Sequence, residues 1–281
     1  MTIAITGATG QLGRLAIAHL KTLTDPAQII ALARDPGKAA DLGVAARAFD
    51  YTAPETMAEA LQGVTVLALI SSNDFNDRVG QHRNVINAAK AAGVGRIVYT
   101  SIMQADSSPM LIAADHKATE AAIHEAGLTA TILRNGWYSE NWTGNLAGAI
   151  SAGAMIGAAG DATFTPATRA DYAEALAVVA AGDGHAGQVY ELGGDEVITL
   201  ADIAAEVSRQ TGKDIPYNNL PGDVYQGILE SFGLPAGFAS VLVDVDVKAG
   251  GGWLADTSGT LRNLLGRPTV PMSEAVRAAL A

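Results

Sequence analysis

The chain has 281 residues, no cysteine, and 29 acidic against 18 basic side chains, for a formal net charge of −11. Such a length supports a full α/β domain with room for a smaller second lobe, and the missing cysteines exclude disulfides, thiolate metal sites and thiol catalysis. The negative balance, with no lysine or arginine cluster to offset it, argues against a nucleic-acid partner, and no apolar run is long enough to span a bilayer.

In chain order, the first signal is Thr2–Gly13, TIAITGATGQLG. Alternating β-formers run into Gly7, Gly10 and Gly13, and the helical run RLAIAHLKTL follows. A strand, a glycine-rich turn and a helix N-terminus together make an anion site. The first helical amides lack partners within the helix, and the helix dipole favours negative charge there. Gly7 is expected to permit the turn, Gly10 to let a pyrophosphate approach the main chain, and Gly13 to let helix and strand pack closely. The GxxGxxG spacing is one residue wider in its first gap than the usual dinucleotide fingerprint, but it stands in the strand-to-helix context that the fingerprint requires.

Up to about Arg134, short β-rich runs alternate with helical periods. The strands read as TIAIT, QIIALA, ARAF, TVLALI, RIVYTS and TATILR, and the helices fall near Leu12–Leu23, Pro36–Leu42, Pro54–Leu61, Asn76–Ala92 and Leu111–Ala126. This alternation predicts an α/β fold, a doubly wound parallel sheet of Rossmann type with helices on both faces. Beyond Arg134 the character changes: RNGWYSENW is aromatic and polar, and Gly144–Gly160 is rich in small residues. Helices near Arg169–Ala181, Leu200–Thr211 and Pro221–Phe232, short strands near Gln188–Leu192 and Asp214–Asn218, and a closing helix in PMSEAVRAALA complete the reading. The chain thus divides into a dinucleotide-binding domain, 1–136, and a smaller substrate-binding α/β lobe, 137–281, partly interleaved with the main sheet. The N-terminus lacks the basic n-region of a signal peptide and its first strand reads as part of the fold, so the expected setting is the cytoplasm, with no membrane attachment.

In an open parallel sheet, ligands bind at the carboxyl ends of the strands. The second strand ends in Arg34, which suits the 2′-phosphate of NADP, although Asp35 beside it would suit the free ribose of NAD. The third ends in Asp50 and Tyr51, where the carboxylate would meet an adenine amino group or cap the next helix. Ser71, Ser72 and Asn73 close the fourth and would bound the cofactor ribose. Thr100 and Ser101 close the fifth, on the nicotinamide side. The sixth ends in Arg134, Asn135 and Gly136, followed by Trp137 and Tyr138, an aromatic platform for a flat acceptor.

Several catalytic devices are absent. No tyrosine is followed four residues later by lysine, and there is no GxSxG elbow, no GxxxxGK[ST] loop and no HExxH helix. The five histidines show no short metal-ligand spacing, so no metal site is expected. His116, between Asp115 and Lys117, is the histidine expected at the mouth of the cleft, with a catalytic or cofactor role. The pattern describes a hydride carrier without a strong proton relay.

Four segments carry a resemblance over nearly the whole chain: TGATGQLG at Thr6–Gly13, QHRNVINAAKAAGV at Gln81–Val94, LRNGWYSEN at Leu133–Asn141 and TRADYA at Thr168–Ala173. Together they resemble the type 2 NAD(P)H:quinone oxidoreductases, an NmrA-like, atypical branch of the short-chain dehydrogenase/reductase superfamily. The resemblance implies flavin-free reduction of a quinone, or another planar electron-poor acceptor, by NADPH. It implies a cofactor loop of Thr6, Gly7, Ala8, Thr9, Gly10, Gln11, Leu12 and Gly13, with Arg34 at the 2′-phosphate. It puts the nicotinamide end against Asn135, Gly136, Trp137 and Asn141, and the quinone near Tyr138, Arg169, Asp171 and Tyr172. Tyr138 and His116 are the candidate proton donors. Lys117 departs from the expected pattern and weakens any lysine-based mechanism. A non-catalytic dinucleotide sensor, and reduction of triphenylmethane dyes, enones or imines, are the alternatives; a homodimer is the assembly considered.

Overall fold

The structure, a computed structural model, describes all 281 residues. In chain order the first half holds β1 (Ile3–Ile5), α1 (Gln11–Leu23), β2 (Ile29–Ala33), β3 (Ala45–Ala48), α2 (Pro54–Ala60), β4 (Val66–Leu69), α3 (Arg78–Ala91), β5 (Arg96–Ile102), α4 (Leu111–Glu125) and β6 (Ala130–Asn135). Then come α5 (Glu140–Thr143), α6 (Leu146–Ala152), β7 (Met155–Gly157), α7 (Arg169–Ala181), β8 (Val189–Leu192), α8 (Leu200–Thr211), β9 (Tyr217–Asn219), α9 (Gly222–Ser231), α10 (Ala236–Ala249), α11 (Thr260–Leu265) and α12 (Met272–Leu280).

Seven strands form one all-parallel sheet in the order β3-β2-β1-β4-β5-β6-β8. The central strands are short apolar runs buried on both faces, as IAI at β1 and VLAL at β4 show. One face carries α1, α7 and α11, packed on Ile3, Ile5, Val66 and Val98. The other carries α2, α3 and α4, packed on Ala4, Ile30, Leu67 and Ile97. Burying Leu12, Ile17 and Leu20 of α1 against the first face contributes roughly 1.5–3 kcal/mol per side chain. The strand order reverses between β1 and β4, which opens a crevice above their carboxyl ends.

The main layer draws on both halves of the chain, since β8 pairs with β6 and α7 lies against α1. A third core, with Met155, Phe164, Leu200, Val207, Val245 and Met272, is built mainly from the later elements and joined by Ile102, Met103, Ala105, Met110 and Ala113 from the end of β5 to α4; the two-stranded β7–β9 sheet lies with it. No helix is long and apolar enough to cross a membrane.

Several segments differ from their sequence reading, among them α5, α6, β7 and α11, to which it assigns no element. Pro36–Leu42 is a 3₁₀ rather than an α-helical segment, with Asp35 as its cap and Gly43 ending it at φ 68°. The stretch Ala236–Ala249, to which the sequence reading assigns no element, is the helix α10. Its alternating VLVDVDV carries no 3.6-residue period, and burial of Val245 and Ala249 in the third core, with Val243 buried beside them on the same helix, overrides the weak helix propensity of valine.

Candidate active site

The crevice at the β1–β4 reversal is a cleft of about 570 Å³. One wall is the turn from β1 into α1. Gly7 turns the chain at φ +59°, a left-handed conformation that L side chains rarely adopt. A Cβ at Gly13 would lie 2.3 Å from the Gly7 carbonyl oxygen and 2.8 Å from Ala8 Cα, so only glycine lets α1 cross the turn this closely. Gly10 is the N-cap residue and has no side chain to satisfy the first helical amides, which are left for an anion in the cleft. Arg14 braces the turn: its Nε donates to Thr9 O (3.2 Å), Nη2 to Lys38 O (2.7 Å), and Nη1 pairs with Asp41 (2.7 Å).

Beyond that turn lie Leu32, Ala33 and Arg34 at the end of β2, then Phe49, Asp50, Tyr51 and Thr52 after β3. Arg34 is exposed on the cleft and is spent on no ion pair within the chain. Asp35 is engaged, because its Oδ1 accepts from Gly37 N–H at 3.0 Å. The neighbouring carboxylate thus caps the 3₁₀ turn and leaves Arg34 as the free charge. Asp50 Oδ1 accepts from both the amide (2.9 Å) and the hydroxyl (2.8 Å) of Thr52, which holds its carboxyl below the usual range.

The opposite wall is the segment after β4, where Ile70, Ser71, Ser72, Asn73 and Asp74 line the cleft. Past Leu69 this segment has no strand partner, and its amides turn to side chains instead. Ile70 N–H donates to Thr6 Oγ1, Ser71 N–H to Thr100 Oγ1 and Ser72 N–H to His82 Nε2, each at 2.9 Å. Tyr51 OH donates to Ile70 O at 2.8 Å, and Asn84 Nδ2 to Tyr51 O at 3.0 Å.

At the far end stands Arg169, which also lines the cleft. Its guanidinium lies 5.4 Å from the centre of the Tyr138 ring, and Tyr138 in turn packs on Tyr172 with ring centres 4.9 Å apart. Asn135 Nδ2 donates to Tyr138 OH at 3.1 Å, while Asn135 Oδ1 is buried with no partner. Burial raises the Tyr138 phenol above its ordinary value, so it stays protonated at neutral pH.

Of the residues singled out from the sequence, the cleft brings together Gly7, Thr9, Gly10, Gln11, Leu12, Gly13, Arg34, Asp50, Tyr51, Ser71, Ser72 and Arg169. Tyr138, Asn135, Gly136, Trp137 and Asn141 lie at the Arg169 end, outside the lining. Trp137 leans on the third core, and Asn141 is exposed. Ala8 is fully buried.

Others have a different place from the one expected. Thr6 and Thr100 hold the Ile70–Ser71 main chain and are themselves buried. Ser101 Oγ donates to Glu120 (2.5 Å), within an ion cluster around the buried Arg134, which pairs with Glu120 (2.7 Å) and Glu191 (2.9 Å). Asp171 is the capping-box partner of Thr168 at the start of α7 and pairs with Arg267 at 2.9 Å, away from the cleft. Tyr172 is 1% exposed and donates to Leu192 O, so it backs Tyr138 rather than facing a ligand.

His116 departs furthest from its expected place. It faces inward from α4 and is 6% exposed, with Nδ1 against Tyr99 OH at 2.7 Å. Desolvation and the nearby Arg78 charge hold it well below its ordinary pKa, so it is neutral and outside the cleft lining. Lys117, next to it, donates to Asp106 O. Sequence reasoning missed Gln81, His82 and Asn84. Their signal was present in QHRNVINAAKAAGV, where polar residues occupy turns of a helix that a purely structural helix would fill with apolar ones.

The model of the NmrA-like family matches residues 1–248. The chain is 49% identical over 277 residues to quinone oxidoreductase 2 of Escherichia coli strain K12, covering 98% of this chain and 97% of that one. The crystal structure of an NADPH-dependent quinone oxidoreductase of Escherichia coli in complex with NADPH superposes with a TM-score of 0.97 at 48% identity, over the full length of both chains. The triphenylmethane reductase of Citrobacter sp. complexed with NADP(H) superposes at 0.94 with 34% identity, covering 99% of this chain and 100% of that one.

Proposed function

The chain belongs to the NmrA-like family, and on that footing we infer that it is a reductase carrying hydride from NADPH to a quinone. The observation that carries this reading is the cleft at the β1–β4 reversal, in a chain alike from end to end to a quinone oxidoreductase. Its uncapped amides and its free arginine together suit a dinucleotide with an extra phosphate. The residues fit the cofactor in three respects. Gly10 leaves the first amides of α1 open for the diphosphate, Arg34 is available for the 2′-phosphate, and Asn135 Oδ1 is a buried acceptor without a donor. In this reading residues 1–136 bind the cofactor, and the rest of the chain supplies the acceptor side.

When bound, NADPH supplies the hydride. The chain's own part is to hold donor and acceptor together and exclude water, which removes the entropic cost of their encounter. A quinone is electron-poor and accepts hydride without a strong acid at its carbonyl. Two electrons and one proton delivered as hydride leave a hydroquinone anion, and one further proton completes the product. We assign that proton to the Tyr138 phenol. Its oxygen accepts from Asn135, so its own hydrogen is free to donate, and solvent then restores it. Arg169, beside the ring, favours the transient phenolate.

Mixing the protein with NADPH and benzoquinone and following the absorbance of the reduced cofactor tests the function. Protein-dependent loss is expected, and its absence would leave only a dinucleotide-binding protein. A triarylmethane dye in a parallel cuvette separates the two acceptor classes. For the proton, Tyr138→Phe is expected to slow single-turnover oxidation by about tenfold or more. An unchanged rate rules out proton donation by Tyr138 that limits the oxidation.

A further inference from the structure

The cleft wall after β4 is held in shape by side chains of α3. Ser72 is gripped on every polar atom: its N–H donates to His82 Nε2 (2.9 Å), its carbonyl accepts from Arg78 Nε (2.8 Å) and its Oγ donates to Gln81 Oε1 (2.6 Å). The same Oγ accepts from Asp74 N–H at 3.1 Å, and Gln81 Nε2 donates onward to Asp74 at 2.6 Å. The segment is therefore fixed before any ligand arrives.

The tautomer of His82 follows from geometry. Nε2 receives an amide hydrogen and so carries none, which leaves the ring proton on Nδ1. That proton faces Thr119 Oγ1 at 2.9 Å, and Thr119 Oγ1 passes its own hydrogen to Asp115 O at 2.8 Å. The chain of donors runs one way, from Ser72 through His82 and Thr119 to α4. Burial, with the Arg78 charge nearby, pushes the imidazole down to about 3, so this neutral acceptor persists across the physiological range.

We propose that His82 is the positioning residue of the dinucleotide cleft: by accepting the Ser72 amide hydrogen it presets the Ser71–Asp74 wall against which the cofactor lies. The proposal rests on the reading of the cleft as an NADPH site. His82 itself is fully buried and lines no part of the cleft, so its influence passes through Ser72. Without it the amide loses its only acceptor and the wall samples conformations that NADPH must reorder, which weakens ground-state binding more than turnover.

The test uses the full chain and three variants, His82→Leu, His82→Gln and Thr119→Val, with NADPH affinity read by calorimetry and KM and kcat by NADPH oxidation. H82L is expected to raise Kd and KM for NADPH about tenfold, with kcat changing much less; one hydrogen bond has about that weight. H82Q, whose amide oxygen can take the place of Nε2, is expected to recover most of the affinity. T119V keeps the ring but removes the acceptor of its Nδ1 proton, and is expected to raise KM about threefold. If H82L does not fold, T119V and H82Q decide the matter. Unchanged KM in T119V, a loss in H82Q equal to that in H82L, or a fall in kcat as large as the rise in KM each overturns the proposal. Failure of the wild-type chain to bind NADPH overturns the cofactor reading instead.

Discussion

Around Gly7, Gly10 and Gly13 the cleft is made of main chain, whereas around Tyr138 it is made of side chains brought together from distant parts of the chain. At the glycine end the ligand-facing groups are the amides that open α1, and their positions follow from a short turn and the first turn of the helix after it. At the tyrosine end Asn135 and Tyr138 come from the end of β6, while Arg169 and Tyr172 come from α7. The first construction needs the right residues in one short segment. The second needs the tertiary fold to be complete. Between them stands the Ser71–Asp74 wall, a main-chain surface held by side chains of α3, which shares features of both.

Substitutions in the glycine turn sharpen the contrast most. Gly13→Val would drive a side chain into the Gly7 and Ala8 main chain, and no rotamer relieves atoms at 2.3 and 2.8 Å. A loss of about 3 kcal/mol or more in stability is expected from urea melts, at the upper end of overpacking. At Gly10 the only close neighbour of an added Cβ is the Gly7 carbonyl, at 3.2 Å. Gly10→Val should therefore fold with little loss in the same melts, yet abolish binding of both NADPH and NADH in calorimetry, because the side chain fills the approach to the amides. If Gly10→Val bound NADPH normally, the diphosphate would not be held by this turn.

This difference also explains what could be read beforehand. The Rossmann sheet, the glycine turn and the place of Arg34 on the cleft are legible because each is a local pattern: a strand period, a spacing, a strand end. Thr100 and Ser101 were placed at the right strand end, but the direction of their side chains depends on α4 and on the Ser71 main chain, which no local pattern reports. His116 looked available for chemistry because it stands among charged residues in sequence. On a helix, however, its neighbours Asp115 and Lys117 point elsewhere, and the ring faces Tyr99 in the core. Tyr172 and Asp171 fell in a segment of genuine resemblance, yet they support the site from behind. The α10 helix went unread because its burial, rather than its residue pattern, makes it helical.

The middle-sized effect is at Arg34, where main-chain and side-chain recognition meet. Arg34→Ala removes the one free cation of the β2 end while Asp35 stays tied to Gly37. Charge-assisted hydrogen bonds to phosphate contribute about 1.5–3 kcal/mol, so NADPH affinity is expected to fall about tenfold to a hundredfold. NADH, which lacks the 2′-phosphate, should bind the variant as it binds the wild type. Equal weakening of both in parallel titrations would mean that Arg34 acts on the fold rather than on the phosphate.

The smallest effect concerns the hybrid wall and shows itself only as pH falls. His82 is held down to about 3 in the folded chain, while in the unfolded chain it titrates near its ordinary 6.5. The unfolded chain therefore takes up a proton that the folded chain refuses. Stability from this group is fully present above about pH 6.5 and is lost as pH falls below it, down through the folded value. His116 is depressed in the same direction and adds to the slope. Glutamine at position 82 does not titrate, so H82Q should lose stability less steeply than the wild type between about pH 6.5 and pH 5, by roughly 1.4 kcal/mol per pH unit where the unfolded histidine is fully protonated. Most carboxylates begin to contribute only below that window, which keeps the comparison clean. Urea melts of both proteins at three pH values measure the difference. Parallel slopes would mean that His82 is protonated in the folded chain, and a protonated ring cannot accept the Ser72 amide hydrogen, so the wall would have to be held by Arg78, Gln81 and Thr100 without it.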